Sequence, residues 1–159
     1  LAGAIADNGG NWERSQLAEL GGTFAGMVLV SLPERSVPAL TVELERIESD
    51  GLLHISVAEA ITTDTSAADV TRVTMRLVGQ DHPGIVHEVS QALARCQVSI
   101  DQLEAEVVPA PMGGTLFQAE ATLDLPTDLT VDEVRNVLEA VAHDLMVDLD
   151  LDRDLDRDP

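Results

Sequence analysis

The sequence has no lysine and no tyrosine, and only one cysteine, one tryptophan and two phenylalanines among 159 residues. Each shortage excludes a class of chemistry. Without lysine there is no Schiff-base nucleophile and no phosphate-loop lysine. A lone Cys96 forms no intrachain disulfide and no cysteine-based zinc cluster, which fits a reducing cytosol. Trp12, Phe24 and Phe117 are too few to stack nucleic-acid bases, so the core must be built from Val, Leu, Ile and Ala. Positive charge is scarce as well: nine arginines stand against 29 acidic residues, a net charge of -20. Binding nucleic acid begins with neutralising phosphates, and this chain repels them. Any influence on transcription is therefore expected to run through a partner protein. No apolar run approaches the roughly 18 residues of a membrane span, and no signal peptide is visible. The sequence starts at Leu1 rather than Met, so that absence is weak evidence about a leader.

What is present is a packed, repetitive α+β pattern. Hydrophobic residues make up 45 % and charged residues 24 %, enough apolar material for a core. In the second half, residues 70–78 read as a strand. "GQDHPGIV", Gly79 to Val86, then turns into apolar residues at helical spacing: Ile85, Val86, Val89, Ala92, Leu93 and Cys96. Residues 98–108 form a second strand whose register slips between Ile100 and Leu103, predicting a bulge. A third strand alternates Phe117, Ala119, Ala121 and Leu123 with Gln118, Glu120, Thr122 and Asp124. Thr130 and Glu133 form a capping box for a helix striped by Val134, Val137, Leu138 and Val141. Leu145, Val147, Leu149 and Leu151 read as a fourth strand. The order is βαββαβ, a ferredoxin-like sandwich.

The first half repeats this unit. "GGTF" at Gly21 echoes "GGTL" at Gly113, and the matching strands both end in Leu-Pro, at Leu32-Pro33 and Leu125-Pro126. A helix carrying Val37, Leu40, Leu44 and Ile47 follows, then a strand with Leu53, Ile55 and Val57 facing inward. The expected organisation is a first unit over residues 1–61 lacking its first strand, a linker over 62–69, a second unit over 70–152 and an acidic tail over 153–159. Ala25, Met27 and Leu29 form an apolar outer face where the second unit has Gln118, Glu120 and Thr122. Such a face reads as an interface or as plain strand packing.

The chemistry of catalysis is missing. Cys96 falls on a helix's apolar stripe, where a thiol is usually inert packing. His82 and His87 are five apart, a poor fit to a two-histidine metal pair. No nucleophile elbow, phosphate loop or dinucleotide fingerprint occurs. No catalytic residue, metal or cofactor is assigned. The corner remains. Asp81 can cap the helix and Pro83 can occupy its first turn; equally, free helix N–H groups and Asp81 suit the carboxylate and ammonium of an α-amino acid. Spacing alone leaves both open.

The corner Gly-x-Asp-His-Pro-Gly-Ile-Val, within a tandem βαββαβ pattern, resembles the ACT family of amino-acid-sensing domains. Residues 10–33 are also similar to the first unit of the glycine cleavage system transcriptional repressors, which carry two ACT units and little else. The resemblance covers nearly the whole chain. It implies a ligand site between this corner and a neighbouring unit, lined by Asp81, His82, Gly84 and Ile85, with a polar residue entering the second strand: Ser99 in the second unit, Asn11 in the first. It implies a cytoplasmic, non-enzymatic homodimer that binds glycine or serine and acts on glycine cleavage genes through a protein activator, without touching DNA. Two other readings stay in play. One is a regulatory module of an enzyme, such as a phosphoserine phosphatase or formyltetrahydrofolate deformylase; the other is a ligand-free dimerisation scaffold.

Overall fold

The computed structural model describes residues 1–51, 53–60 and 70–153, in two compact units, Leu1–Thr63 and Asp64–Pro159. The expected linker over 62–69 lies outside the described residues, as does all of the expected tail beyond Arg153.

The second unit has the elements β3 (Thr71–Gln80), α3 (Ile85–Arg95), β4 (Ser99–Pro109), β5 (Thr115–Leu125), α4 (Val131–Leu145) and β6 (Val147–Arg153). Its strands form one antiparallel sheet in the order β4-β5-β3-β6. Strict alternation selects one face of each strand: Val73, Met75 and Leu77 of β3, the odd positions 117–125 of β5, and Val147 and Leu151 of β6 are buried. They pack against Ile85, Val89, Ala92 and Leu93 of α3 and Val134, Leu138 and Ala142 of α4 in one core cluster. The opposite face stays in water because its side chains are charged. Arg72 grips Asp124 through Nε and Nη2 at 2.9 and 3.2 Å, and Arg76 meets Glu120 at 2.7 Å. The predicted bulge is present, the register shifting between Ile100 and Gln102. The Thr130–Glu133 capping box starts α4 as expected.

The first unit carries α1 (Ala2–Asp7), β1 (Asn11–Leu20), β2 (Thr23–Ser31) and α2 (Val37–Ser49), with a turn of 3₁₀ helix at Glu34–Ser36. The repeat is close enough to reproduce the bulge, between Trp12 and Arg14 at the corresponding place in β1. In both units the residue opening the bulged strand's approach closes back on the helix: Gly10 N–H donates to Ile5 O and Val98 N–H to Leu93 O. Among the described residues of this unit only Ala4, Ile5, Leu40 and Leu44 are buried, backed by half-buried Val30, Leu32, Ile47 and Ile55. Both faces of the two-stranded β1-β2 sheet are largely open. On the outer face Met27 is 70 % exposed, so the apolar surface expected from Ala25, Met27 and Leu29 stands uncovered within the unit.

Two expected strands differ from the sequence reading. Leu53, Ile55 and Val57 form no strand, and Leu53 and Val57 are exposed. Their counterpart, β6, is held by pairing with β3, and the first unit's described residues contain no equivalent of β3. An alternating segment without a hydrogen-bonding neighbour does not become a strand. Leu145, read as the start of the last strand, instead ends α4, because Met146 adopts a left-handed conformation (φ 55°) that stops the helix and starts the turn.

Candidate functional site

The corner between β3 and α3 is built differently from a capped helix start. Gly79 and Gln80 belong to β3 itself, paired with Phe117 and Leu116 of β5. Gly79 is needed for closeness rather than for turning. A Cβ there would lie 2.5 Å from Val147 Cγ1 and 2.8 Å from Val147 Cα on the neighbouring strand. Asp81 extends the ladder by one bond, its N–H donating to Thr115 O at 3.1 Å. The helix then begins at Ile85 with Gly84 as its N-cap, at φ 105°, a backbone conformation open to glycine and poor for other residues. The expectation that Asp81 caps α3 with Pro83 in its first turn is therefore corrected. Pro83 lies in the turn before the helix, and no side chain caps it. The physical reason is the left-handed Gly84, which spaces Asp81 too far ahead of the first helical N–H groups.

Three features of the corner bear on ligand chemistry. The first turn of α3 presents backbone N–H donors that the helix cannot satisfy internally, with the partial positive charge of a helix start. Gly84, which has no side chain to obstruct them, is exposed. Asp81 is exposed too, and its carboxylate has no hydrogen-bond or ion-pair partner among the described residues. His82 is tied in place. Its Nε2 lies 3.0 Å from Leu145 O at the end of α4, and its Nδ1 lies 3.2 Å from Pro83 O. The Leu145 carbonyl raises the imidazole pKa most, then the Pro83 carbonyl, with the Asp81 charge adding to them and desolvation opposing.

Of the residues expected to line a ligand, Asp81, His82 and Gly84 meet at this corner. Ile85 is adjacent, but it is 2 % exposed and its side chain belongs to the core. Ser99 is elsewhere. It pairs with Asp124, which pairs with Arg72, so it lies level with the start of β3. Seven residues of strand, about 23 Å, separate that level from Gly79. Asn11 sits in the first unit at the equivalent strand start, where its Nδ2 donates to Glu13 Oε1 at 2.9 Å. Within the second unit, Ser99 therefore does not reach the corner. The end of α4, Leu145 and Met146, joins the corner through His82 and carries no signal in the sequence, because a backbone carbonyl sixty-three residues away leaves no side-chain pattern.

Among the described residues no group of three His, Cys, Asp or Glu side chains could hold a metal ion. Cys96 caps the end of α3, half-buried against the core. No helix among the described residues is long and apolar enough to cross a membrane.

No family model matches the chain, and no curated protein does. Solved structures do. A protein of unknown function from Galdieria sulphuraria is 31 % identical, with 96 % of this chain and 86 % of that one covered at a TM-score of 0.73. A protein assigned as a glycine cleavage system transcriptional repressor superposes over 95 % of this chain and 85 % of its own, at a TM-score of 0.64 and 16 % identity. An ACT domain protein from Streptococcus pneumoniae matches 54 % of this chain and 91 % of that one, 24 % identical, at a TM-score of 0.47. The βαββαβ order of the second unit and its partial repeat in the first agree with the two whole-chain likenesses: the chain is of one family with the Galdieria sulphuraria protein and shares its tandem α+β fold with the glycine cleavage repressor.

Proposed function

We propose that this is a non-enzymatic, cytoplasmic regulatory protein. It binds a small amino acid, of the glycine or serine type, at the corner of its second unit. It controls transcription of amino-acid metabolism genes, such as those of glycine cleavage, through a protein partner. The observation that carries the reading is Asp81: an exposed, unpartnered carboxylate beside the open N–H groups of a helix start. An α-amino acid brings one group for each, its ammonium for Asp81 and its carboxylate for the helix. The small side chain fits because Gly84 leaves the approach clear, whereas the neighbouring Ile85 side chain is already committed to the core. The transcriptional part rests on the likeness to the glycine cleavage repressor, and the net charge of -20 favours a protein partner over nucleic acid. Ser99 takes part only where a second copy of the chain supplies it, and Asn11 stays in the proposed lining with it. The exposed Met27 face supports a homodimer.

The alternative of a ligand-free scaffold has its own support, since Gly79, His82, Gly84 and Ile85 each have a structural task. The test is a thermal-shift and calorimetric screen of the whole protein against glycine, serine and the other amino acids. A ligand at 100 times its Kd stabilises by about 2.7 kcal/mol. The expected result is a shift with glycine or serine that disappears in Asp81→Ala, while that variant without ligand unfolds within about 0.5 kcal/mol of the wild type. Binding that survives Asp81→Ala unchanged refutes the assignment of the site, and no binding at millimolar ligand leaves the scaffold.

A further inference from the structure

We infer that His82 is a proton-operated clasp that joins the ligand corner to the end of α4. Both of its ring nitrogens face carbonyl oxygens, Leu145 O at 3.0 Å from Nε2 and Pro83 O at 3.2 Å from Nδ1. A carbonyl only accepts. A neutral imidazole has one N–H, so in either tautomer one nitrogen would turn its lone pair toward an oxygen lone pair. Only the imidazolium donates at both ends. The geometry is thus complete in the charged ring and half broken in the neutral one.

The two carbonyls are not equivalent in what they hold. Pro83 O belongs to the turn between Asp81 and the left-handed Gly84. Leu145 O belongs to the last residue of α4, just before Met146 reverses into a left-handed conformation and β6 begins. A helix C-terminus collects unsatisfied carbonyls and partial negative charge, which favours a cation there. The charged and titratable groups on the surrounding elements are Asp81 on the corner, His87 and Glu88 in the first turn of α3, His143 and Asp144 in the last turn of α4, and Asp148 in β6. Asp81 is the one among them whose charge raises the His82 pKa, in the same direction as the two carbonyls. Loss of the proton releases one carbonyl and frees the corner to move relative to α4. It also removes a positive charge next to the place where a ligand carboxylate would sit. The effect on binding rests on the proposed function; the clasp itself is a property of the protein without ligand.

Nuclear magnetic resonance of the whole unliganded protein tests it. The peptide N–H groups of the two clasped carbonyls are those of Met146 and Gly84, so their amide signals report each end. The expected result is that His82 titrates above the ordinary imidazole value, that the Met146 and Gly84 amides move with its midpoint, and that both movements vanish in His82→Gln. A His82 midpoint at or below the ordinary value overturns the clasp, and so do Met146 and Gly84 amides that ignore it. The wild-type titration decides alone if the variant does not fold. Glycine affinity measured from pH 6 to 8 then separates the two readings. A decline with rising pH that becomes flat in His82→Gln extends the clasp to binding. A titrating clasp with no glycine binding at any pH counts against the corner as a ligand site and leaves the clasp standing.

Discussion

Gly79→Ala tests whether the glycine of the corner motif serves packing between strands. The added methyl would sit 2.5 Å from Val147 Cγ1, 2.9 Å from Val147 Cβ and 2.8 Å from Val147 Cα. Ordinary carbon contacts are about 3.5–4.0 Å. A side-chain rotation could relieve the first contact, but the third is to backbone, so β3 and β6 must separate. Overpacking of this kind costs about 1–3 kcal/mol. In a unit of this size each kcal/mol lowers the melting temperature by about 4–8 °C, so the loss is readily measured. Val147→Ala alone removes two methyl groups from a residue 7 % exposed, about 1.6 kcal/mol at roughly 0.8 per buried carbon. Combined, the two changes should cost less than their sum by at least about 0.5 kcal/mol, because the worst contact is gone. Urea unfolding followed by circular dichroism gives the cycle, and Trp12 fluorescence follows the first unit separately, since the second contains no tryptophan. A Gly79→Ala protein as stable as the wild type, or strictly additive changes, would refute the argument. Unchanged stability with lost ligand binding would show instead that the glycine serves the ligand.

Further expectations follow from the same structure. Leu123, fully buried near the end of β5, should lose about 3–4 kcal/mol as Leu123→Ala, within the range for large-to-small core changes; urea unfolding measures it, and a loss under about 1 kcal/mol contradicts the core assignment. Thr130→Ala removes a side chain that accepts from Glu133 N–H and donates to Glu133 Oε2 at 2.7 Å, and should cost about 1 kcal/mol, with Thr130→Ser nearly neutral. Glu133 is held below the usual carboxylate range, first by the Thr130 hydroxyl and then by its backbone N–H. A lowered folded-state pKa means the contribution is present above the unfolded carboxylate value and lost as pH falls through the folded one. Glu133→Gln should therefore be less stable than the wild type at pH 7 and indistinguishable at pH 2, a convergence that paired acid and neutral unfolding curves would expose or deny.

The sheet of the second unit was legible because each strand carries its own address. Odd positions 117–125 are apolar and even ones polar or smaller, and the buried face follows that alternation residue by residue. Thr130 and Glu133 are three apart in front of an apolar stripe, and they cap α4. The bulge was visible as a slip in the apolar register at Ile100. Where the sequence misled, the determining contact was distant. Leu53, Ile55 and Val57 alternate as well as Val147, Leu149 and Leu151 do. Yet β6 has β3 beside it, and the earlier segment has no strand beside it among the described residues. Alternation specifies which face a strand would bury; it does not supply the neighbour whose backbone groups make it a strand.

The corner shows the same division more sharply. Asp81 next to Pro83 reads locally as cap and first turn, and that reading depends only on spacing. The structure moves the helix start to Gly84 because a left-handed residue there lets the chain leave β3 at Gln80 and still deliver Ile85 into the core. Gly79 answers to Val147, His82 to Leu145 and Pro83, Gly84 to its own backbone, and Ile85 to the core. A motif maintained by these four demands would survive with no ligand at all. Asp81 has no such packing or hydrogen-bonding demand on its side chain: it is exposed, and its charge acts within the unit only as a contribution to raising the His82 pKa. The case for binding at this corner therefore concentrates on one side chain, and Asp81→Asn sharpens it further than Asp81→Ala. The amide has the same shape and leaves the fold alone, but it removes the charge that an ammonium group needs. Glycine bound equally well by Asp81→Asn would mean that shape, not charge, recognises the ligand, and the amino-acid reading of the corner would fail with it.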